Sequence, residues 1–232
     1  MNGLPAVKGF IETSFVDWQG RMASVVFLPR CNFRCPYCHN HRLVTDPDQY
    51  RTLDLEGVFA KLEGLRGWVD GVCVSGGEPT IHTLLPQFLE EFKERGWPVK
   101  LDTNGSKPKM VETILMTGLA EAFSVDVKAP LESIPYRKNA GRGADPASVA
   151  RTLAILADWG ADVEVRTTVH PALLTIEECV RLRAQVSEIF GRPIKVKWQL
   201  CRGEDTLDPA LLSEHTLKLA EFDKLVEEIE GA

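Results

Sequence analysis

Short apolar stretches recur along the chain, and between them the apolar positions return every three or four residues. The stretches are rich in β-branched residues and predict strands at 23–28 (ASVVFL), 71–75 (GVCVS), 98–103 (PVKLDT), 123–128 (FSVDVK), 162–169 (DVEVRTTV) and 194–200 (IKVKWQL). The intervening segments predict helices, each with its own start signal. Asp54 is placed to cap a helix running to about Arg66, and Thr83 one running to Arg95, with Gly96 ending it. Lys107 and Pro108 open a third toward Gly118, and Asp145 and Pro146 a fourth toward Gly160. Thr175 followed by Glu178 reads as a capping box for a fifth. A last amphipathic stretch covers about 209–230.

Strand and helix in alternation imply parallel pairing through right-handed crossovers. Six strands fall short of the eight that close a full barrel, which typically takes about 250 residues. The expected fold class is therefore α/β, an open partial (β/α)6 barrel of parallel strands, with a flat doubly wound sheet as the alternative. In either, chemistry gathers at the carboxyl ends of the strands. No repeat or composition shift divides the chain, so one domain over 1–232 is expected. It would comprise an N-terminal extension over about 1–22, a core over about 23–205 and the C-terminal helix. The largest irregular loop is expected at 135–146, PYRKNAGRGADP.

Composition narrows the class. Hydrophobic residues at 44% and charged residues at 26% fit an ordinary globular core. The net charge of -6 gives no reason to expect general nucleic-acid binding. The opening MNGLPAVKGF lacks the features of a secretory signal, and no apolar run is long enough to span a bilayer, so a cytoplasmic protein without a membrane partner is expected. Six cysteines could form three disulfides, but that pattern belongs to small secreted domains. They read instead as thiols or metal ligands. Cys73, Cys179 and Cys201 are scattered through apolar or helical segments and read as small buried hydrophobes.

Cys31, Cys35 and Cys38 are different: they form C-x3-C-x2-C directly after the first predicted strand. Structural zinc usually takes four ligands as two separated pairs, and no second C-x2-C exists in the chain. His39, adjacent to Cys38, is poorly placed to reach the same tetrahedral ion. A four-iron cluster held by three thiolates leaves one iron without a protein ligand. Such an opening distinguishes catalytic from structural metal sites.

CNFRCPYC resembles the C-x3-C-x-aromatic-C signature of radical S-adenosylmethionine (SAM) enzymes, with Tyr37 as the aromatic residue. SGGEPT at 75–80 is similar to the family's Gly-Gly-Glu segment, which implies that Gly76, Gly77 and Glu78 hold the amino group of SAM. Glycines permit backbone angles that expose carbonyls to an ammonium, and a carboxylate strengthens the contact. Without the resemblance, the same glycines would read as an ordinary strand-to-helix turn. LDTNG (101–105), DVK (126–128) and VRTTV (165–169) are similar to the activating enzymes of glycyl-radical proteins, of which the pyruvate formate-lyase activase is the best-known type. That likeness implies Asp102, Thr103 and Asp126 beside the SAM ribose and carboxylate, with Lys128 and Arg166 neutralising the carboxylate. The blander reading makes the two aspartates loop caps and the two cations solvated.

A narrower resemblance joins KGFIETSFVDWQG (8–20) and VVFLPRCNFRCPYCHN (25–40) to the short activating proteins of anaerobic ribonucleoside-triphosphate reductase, over roughly 7–205. Gln19 stands where that group has Pro, which loosens a turn without removing a ligand. Asn40 is expected at SAM, and His39 as a support of the loop. Between Asn40 and Gly76 the chain has only Cys73, so a single four-iron, four-sulfur (4Fe-4S) cluster is implied. The resemblance as a whole implies a radical SAM activase. Its cluster would reduce SAM, and the 5′-deoxyadenosyl radical would take hydrogen from a glycine of a partner enzyme. The implied partners are a glycyl-radical enzyme, anaerobic ribonucleotide reductase in the narrower likeness, and a flavodoxin or ferredoxin as electron donor. A partner loop is expected to dock near 135–146 and the segment after Cys201.

Two rivals remain. A radical SAM enzyme acting on a small molecule, such as a deazapurine synthase, would use the same motifs. A non-catalytic metal-binding module would not need residues 75–80 or the charged strand ends.

Overall fold

In the computed structural model, which describes residues 3–202, 205–212 and 217–232, the strands follow one another across a single sheet in sequence order. They are β1 (Gly9–Ser14), β2 (Ala23–Leu28), β3 (Gly71–Gly76), β4 (Val99–Thr103), β5 (Ala122–Asp126), β6 (Asp162–Val169) and β7 (Val196–Leu200). β1 runs antiparallel to β2, whereas the pairs β2–β3, β3–β4 and β6–β7 are parallel. The order has β1 at one edge and β7 at the other, so the sheet is open. This is the expected α/β architecture with one strand more than the pattern predicts. β1 escapes the pattern because its middle residues, Ile11 to Thr13, are exposed, as suits an edge. No helix among the described residues is long and apolar enough to cross a membrane.

The helices are α1 (His41–Thr45), α2 (Leu55–Gly64), α3 (Leu85–Glu94), α4 (Pro108–Met116), α5 (Ser133–Ala140), α6 (Pro146–Asp158), α7 (Ile176–Phe190) and α8 (Leu219–Gly231). Asp54 caps α2 through its Oδ2, which accepts from Gly57 N at 3.1 Å. Asp145 caps α6 by accepting from Ala147 N and Ser148 N, and the capping box at Thr175 and Glu178 opens α7. Thr83 does not cap α3. That helix starts at Leu85 with Leu84 at the N-cap position, and a proline in the first turn sets the entry instead. The expected loop at 135–146 is helical over its first part, because α5 runs to Ala140. Pro135 is tolerated in the first turn, where its missing N–H has no helical acceptor. Gly141, at φ +94°, then ends the helix. The stretch expected to be one helix over 209–230 is a short 3-10 turn at Pro209–Leu212 followed by α8, and 213–216 lie outside the described residues.

The chain divides into two compact units. The first comprises Met1–Cys31, Asn40–Thr103 and Lys109–Ser124. In it, side chains alternate across β3 and β4. Val72, Val74, Val99 and Leu101 form one fully buried apolar row, and Phe59, Phe88 and Phe92 build an aromatic cluster with edge-on rings 5.1 and 5.3 Å apart. Burying a phenylalanine of this kind stabilises the fold by about 1.5–3 kcal/mol. The alternate positions of the same strands carry Cys73, Ser75, Lys100 and Asp102. Trp18 closes the core around Ala23, Val25, Cys73 and Ala122.

The second unit comprises Asn32–His39, Asn104–Pro108 and Val125–Ala232. Here Val165 to Val169 on β6 pair in register with Val196 to Leu200 on β7. α7 lies beside α6 and α8, and Trp198 on β7 donates its indole N–H to Glu230 of α8 at 2.8 Å.

Candidate functional site

In the first unit, β2 ends in a loop shaped by Arg30, whose φ of +67° is uncommon for a residue with a side chain. The Arg30 N–H donates to Leu43 O at 3.0 Å, and its carbonyl accepts from Glu78 N at 2.8 Å. Gly77 N donates to Leu28 O at 2.8 Å. The chain from Leu28 to Arg30 thus lies directly against residues 76–78. A Cβ at Gly76 would come 2.3 Å from the carbonyl oxygen of Leu28, and one at Gly77 1.8 Å from that of Arg30. The glycine pair is required by this close approach, and Gly76 also has φ +119°. Cys31 follows at once, half-buried.

The carbonyl of Gly76 accepts from Asn40 Nδ2 at 2.9 Å. Glu78 is 1% exposed, and its Oε1 accepts from Thr80 N at 3.1 Å, Thr80 Oγ1 at 2.5 Å and Thr103 Oγ1 at 2.7 Å. It therefore ties the exit of β3 to the end of β4. Asp102 accepts from Ser75 Oγ at 3.1 Å and forms an ion pair with Lys100, both side chains being buried. The Lys100 ammonium also lies 3.9 Å from the sulfur of Cys73. Sequence reasoning passed over Lys100. The available signal was Lys100 two residues from Asp102 in an apolar strand, which puts both on one face.

In the second unit, the remaining two cysteines sit on a short loop anchored to α5. Arg34 N donates to Ala140 O at 2.9 Å, Phe33 meets Tyr136 edge-on at 6.3 Å, and Cys38 N donates back to Cys35 O at 3.0 Å. Asp208 N donates to Pro36 O at 2.9 Å. Cys35 and Tyr37 are buried, Cys38 is half-buried and His39 is exposed. Burial pushes the Cys35 thiol up to about 11, against the pull of the Lys128 ammonium.

Asp126, Lys128 and Arg166 form one cluster in this unit. Asp126 accepts from Arg166 Nε at 2.8 Å and from Lys128 Nζ at 3.1 Å. Burial favours the neutral acid, but Arg166 and then Lys128 overcome it and hold the Asp126 carboxyl well below the usual range. Neither cation is solvated: their side chains are 11% and 12% exposed. Lys128 Nζ also stands 5.9 Å above the ring of Tyr37, whose buried hydroxyl has no hydrogen-bond partner among the described residues.

The donor chemistry fits an iron–sulfur cluster. All six cysteines are free thiols, and three soft sulfur donors within eight consecutive residues, Cys31 to Cys38, suit iron and sulfide. Among the described residues no three His, Cys, Asp or Glu side chains are already gathered as a metal site. Cys179 and Cys201 are buried, with thiols pushed up by burial to about 12 and 11, and Cys73 is fully buried. These three read as core residues.

A protein of Methanocaldococcus jannaschii named as a glycyl-radical enzyme activating enzyme is 29% identical over 177 residues, 74% of this chain and 71% of that protein. The pyruvate formate-lyase-activating enzyme of Clostridium pasteurianum is 27% identical over 223 residues, 90% of this chain and 82% of its own. A 7-carboxy-7-deazaguanine synthase of Methanopyrus kandleri is 30% identical over 132 residues, 48% of this chain and 51% of its own. Among solved structures, Streptococcus suis SuiB bound to S-adenosylmethionine has a TM-score of 0.65 at 16% identity, covering 89% of this chain and 48% of that one. That likeness concerns the fold, and this chain spans about half of that protein. The radical SAM superfamily model matches residues 25–182, well over half of the sequence and inclusive of both the cysteine loop and the Gly-Gly-Glu turn, so the chain belongs to the radical SAM superfamily and is an enzyme of that type.

Proposed function

We propose that the protein is a radical SAM activase, which cleaves SAM reductively and generates a glycyl radical on a partner enzyme. The observation that carries this reading is the long correspondence with a pyruvate formate-lyase-activating enzyme, along 90% of this chain and 82% of that one. Cys31, Cys35 and Cys38 would hold one 4Fe-4S cluster, and three thiolates would leave one of its irons open to SAM. When bound, the reduced cluster supplies the electron that breaks a carbon–sulfur bond of SAM, and the adenosyl fragment takes the substrate's hydrogen.

The chain's own residues bind and orient. Lys128 and Arg166, held at Asp126, receive the SAM carboxylate. Gly76, Gly77 and Glu78 receive its ammonium, and Asn40 keeps the Gly76 carbonyl in place. Asp102 and Thr103 face the ribose, with Lys100 fixing the Asp102 carboxylate. Tyr37 excludes water from the cysteine loop. The finer reading is that the partner is anaerobic ribonucleoside-triphosphate reductase in the cytoplasm, with a flavodoxin or ferredoxin supplying electrons. The likeness in residues 8–40 favours it.

A second reading, a small-molecule radical SAM enzyme, is favoured by the deazaguanine synthase match, which covers about half of each chain. One experiment separates the two. The reconstituted protein is mixed with SAM, reductant and an anaerobic ribonucleotide reductase carrying α-deuterated glycine. A glycine-centred radical in the electron paramagnetic resonance spectrum, with deuterium in 5′-deoxyadenosine, supports the activase. Label transferred from a small metabolite, with none from any partner glycine, gives the function to the second reading.

A further inference from the structure

We infer that His82 is a positioning residue for Cys31: its ring N–H holds the turn that delivers this cysteine and thereby slows the loss of iron from the cluster. The inference rests on the cluster reading above and concerns a side chain to which that reading gives no part. Pro29, Arg30, Cys31 and His82 all belong to the first unit. Two residues, Pro29 and Arg30, separate the end of β2 from Cys31, so they set where the cysteine stands.

Pro29 is buried and has no N–H, so its carbonyl is the one backbone group by which it can be hydrogen-bonded. That carbonyl lies 2.9 Å from Nε2 of His82, 53 positions along the chain. A carbonyl oxygen can only accept, so the ring donates through Nε2–H. The bond completes a series. The carbonyl of Leu28 accepts from Gly77 N and that of Arg30 from Glu78 N, each at 2.8 Å. Backbone thus answers the carbonyls on either side, and a side chain answers the one between them. His82 is itself fixed by the short turn at Pro79–Ile81, its N–H donating to Pro79 O at 3.1 Å and its carbonyl accepting from Leu85 N at 3.0 Å.

The turn needs such a hold because Arg30, at φ +67°, sits where a residue with a side chain is strained. A conformation of this kind persists only where its surroundings over-determine it. Removing the ring N–H leaves the buried Pro29 carbonyl without this partner, which is costly, and frees the strained residue to relax. Arg30 directly precedes Cys31, so the relaxation moves the cysteine backbone. A thiolate carried on a backbone that can swing away recaptures iron less often once their bond opens, and the iron escapes sooner. Groups that orient metal ligands from behind typically matter about tenfold to a hundredfold in metal retention.

The test compares His82→Gln, which keeps an N–H donor of similar reach, with His82→Met, which has similar length and no donor. Both are reconstituted without oxygen beside the unaltered chain, and iron release to an excess of a ferrous chelator is followed by absorbance in the absence of SAM. His82→Met is expected to release iron about tenfold faster than the unaltered chain, or to take up none, and His82→Gln to stay within about twofold of it. Release from His82→Met at the unaltered rate overturns the inference. So does equally fast release from both variants, since the ring's packing rather than its N–H would then be at work. Circular dichroism of the iron-free proteins checks that each is folded. Should His82→Met not fold, His82→Glu keeps the shape of glutamine without the donor and is read in the same way. Failure of the unaltered chain to take up iron is a different result, which removes the cluster reading itself.

Discussion

A side chain of any size at Gly77 would strike the carbonyl oxygen of Arg30, since even its Cβ would lie 1.8 Å away. Backbone meets backbone there, so neither side has a flexible end that could yield. Gly77→Ala is expected to cost about 3 kcal/mol or more in urea denaturation. Gly64→Ala, in α2 with nothing within 4 Å of the added carbon, is expected to be neutral or stabilising by about 0.5–1 kcal/mol. Equal effects of the two would contradict the close approach described for the cysteine loop and the Gly-Gly-Glu turn.

Anaerobic reconstitution is expected to load about four irons and four sulfides per chain. Replacing Cys31, Cys35 or Cys38 with Ala should abolish the cluster. Replacing Cys73, Cys179 or Cys201 should leave it, with a loss of stability instead, because these three thiols are buried. Iron analysis and absorption spectra read the difference, and retention of iron after loss of Cys35 would be incompatible with the assignment.

SAM affinity should separate the two ends of the substrate. Arg166→Ala and Glu78→Gln are each expected to weaken binding about tenfold to a hundredfold at unchanged iron content, the usual cost of a lost charge-assisted contact. Glu78→Gln should also lower stability, because Oε1 of Glu78 accepts from both Thr80 and Thr103. Titration calorimetry and thermal melting report these separately. Normal affinity in Arg166→Ala would place the SAM carboxylate elsewhere.

Asp126 should make stability depend on acidity in one direction. Its pKa is lowered in the fold, so its contribution is complete above its ordinary value of 3.8 and is lost as the pH falls below that toward the folded value. Asp126→Asn leaves Lys128 and Arg166 facing a neutral amide and is expected to cost about 3 kcal/mol near neutrality. The stability gap between native and variant proteins should therefore narrow on acidification. A gap that stays constant from about pH 7 to about pH 2 would mean that the carboxylate is not held by these two cations.

Much of this arrangement is legible in the sequence. β2 and β6 begin and end where the apolar runs do, because a buried parallel strand reads as a continuous β-branched stretch. Asp54, Asp145 and Thr175 announced their helices through local hydrogen bonds that need no tertiary context. α5 was hidden because its stability is tertiary: Tyr136 is fully buried, and Ala140 accepts from the cysteine loop. Within the candidate site, the family resemblance named Asp126 and Arg166, but not their bond to each other, since forty positions separate them. The Ser75–Asp102–Lys100 chain was equally out of reach, because it depends on which β3 residue lies beside which β4 residue.

β1 has a consequence for how the molecule keeps to itself. Gly9, Phe10 and Ile11 stand opposite Phe27, Val26 and Val25, and the Ser24 hydroxyl donates to the Glu12 carbonyl at 2.6 Å. Without those residues, β2, apolar but for Ser24, would present a row of unanswered N–H and C=O groups, the kind of edge at which two molecules join strand to strand. With them, the outermost strand carries Glu12, paired with Lys61 at 3.0 Å, and a break in register between Ile11 and Ser14. Charge and irregularity of that sort discourage self-association. The segment before β2 therefore acts as a guard against aggregation for the strand that leads into the cysteines.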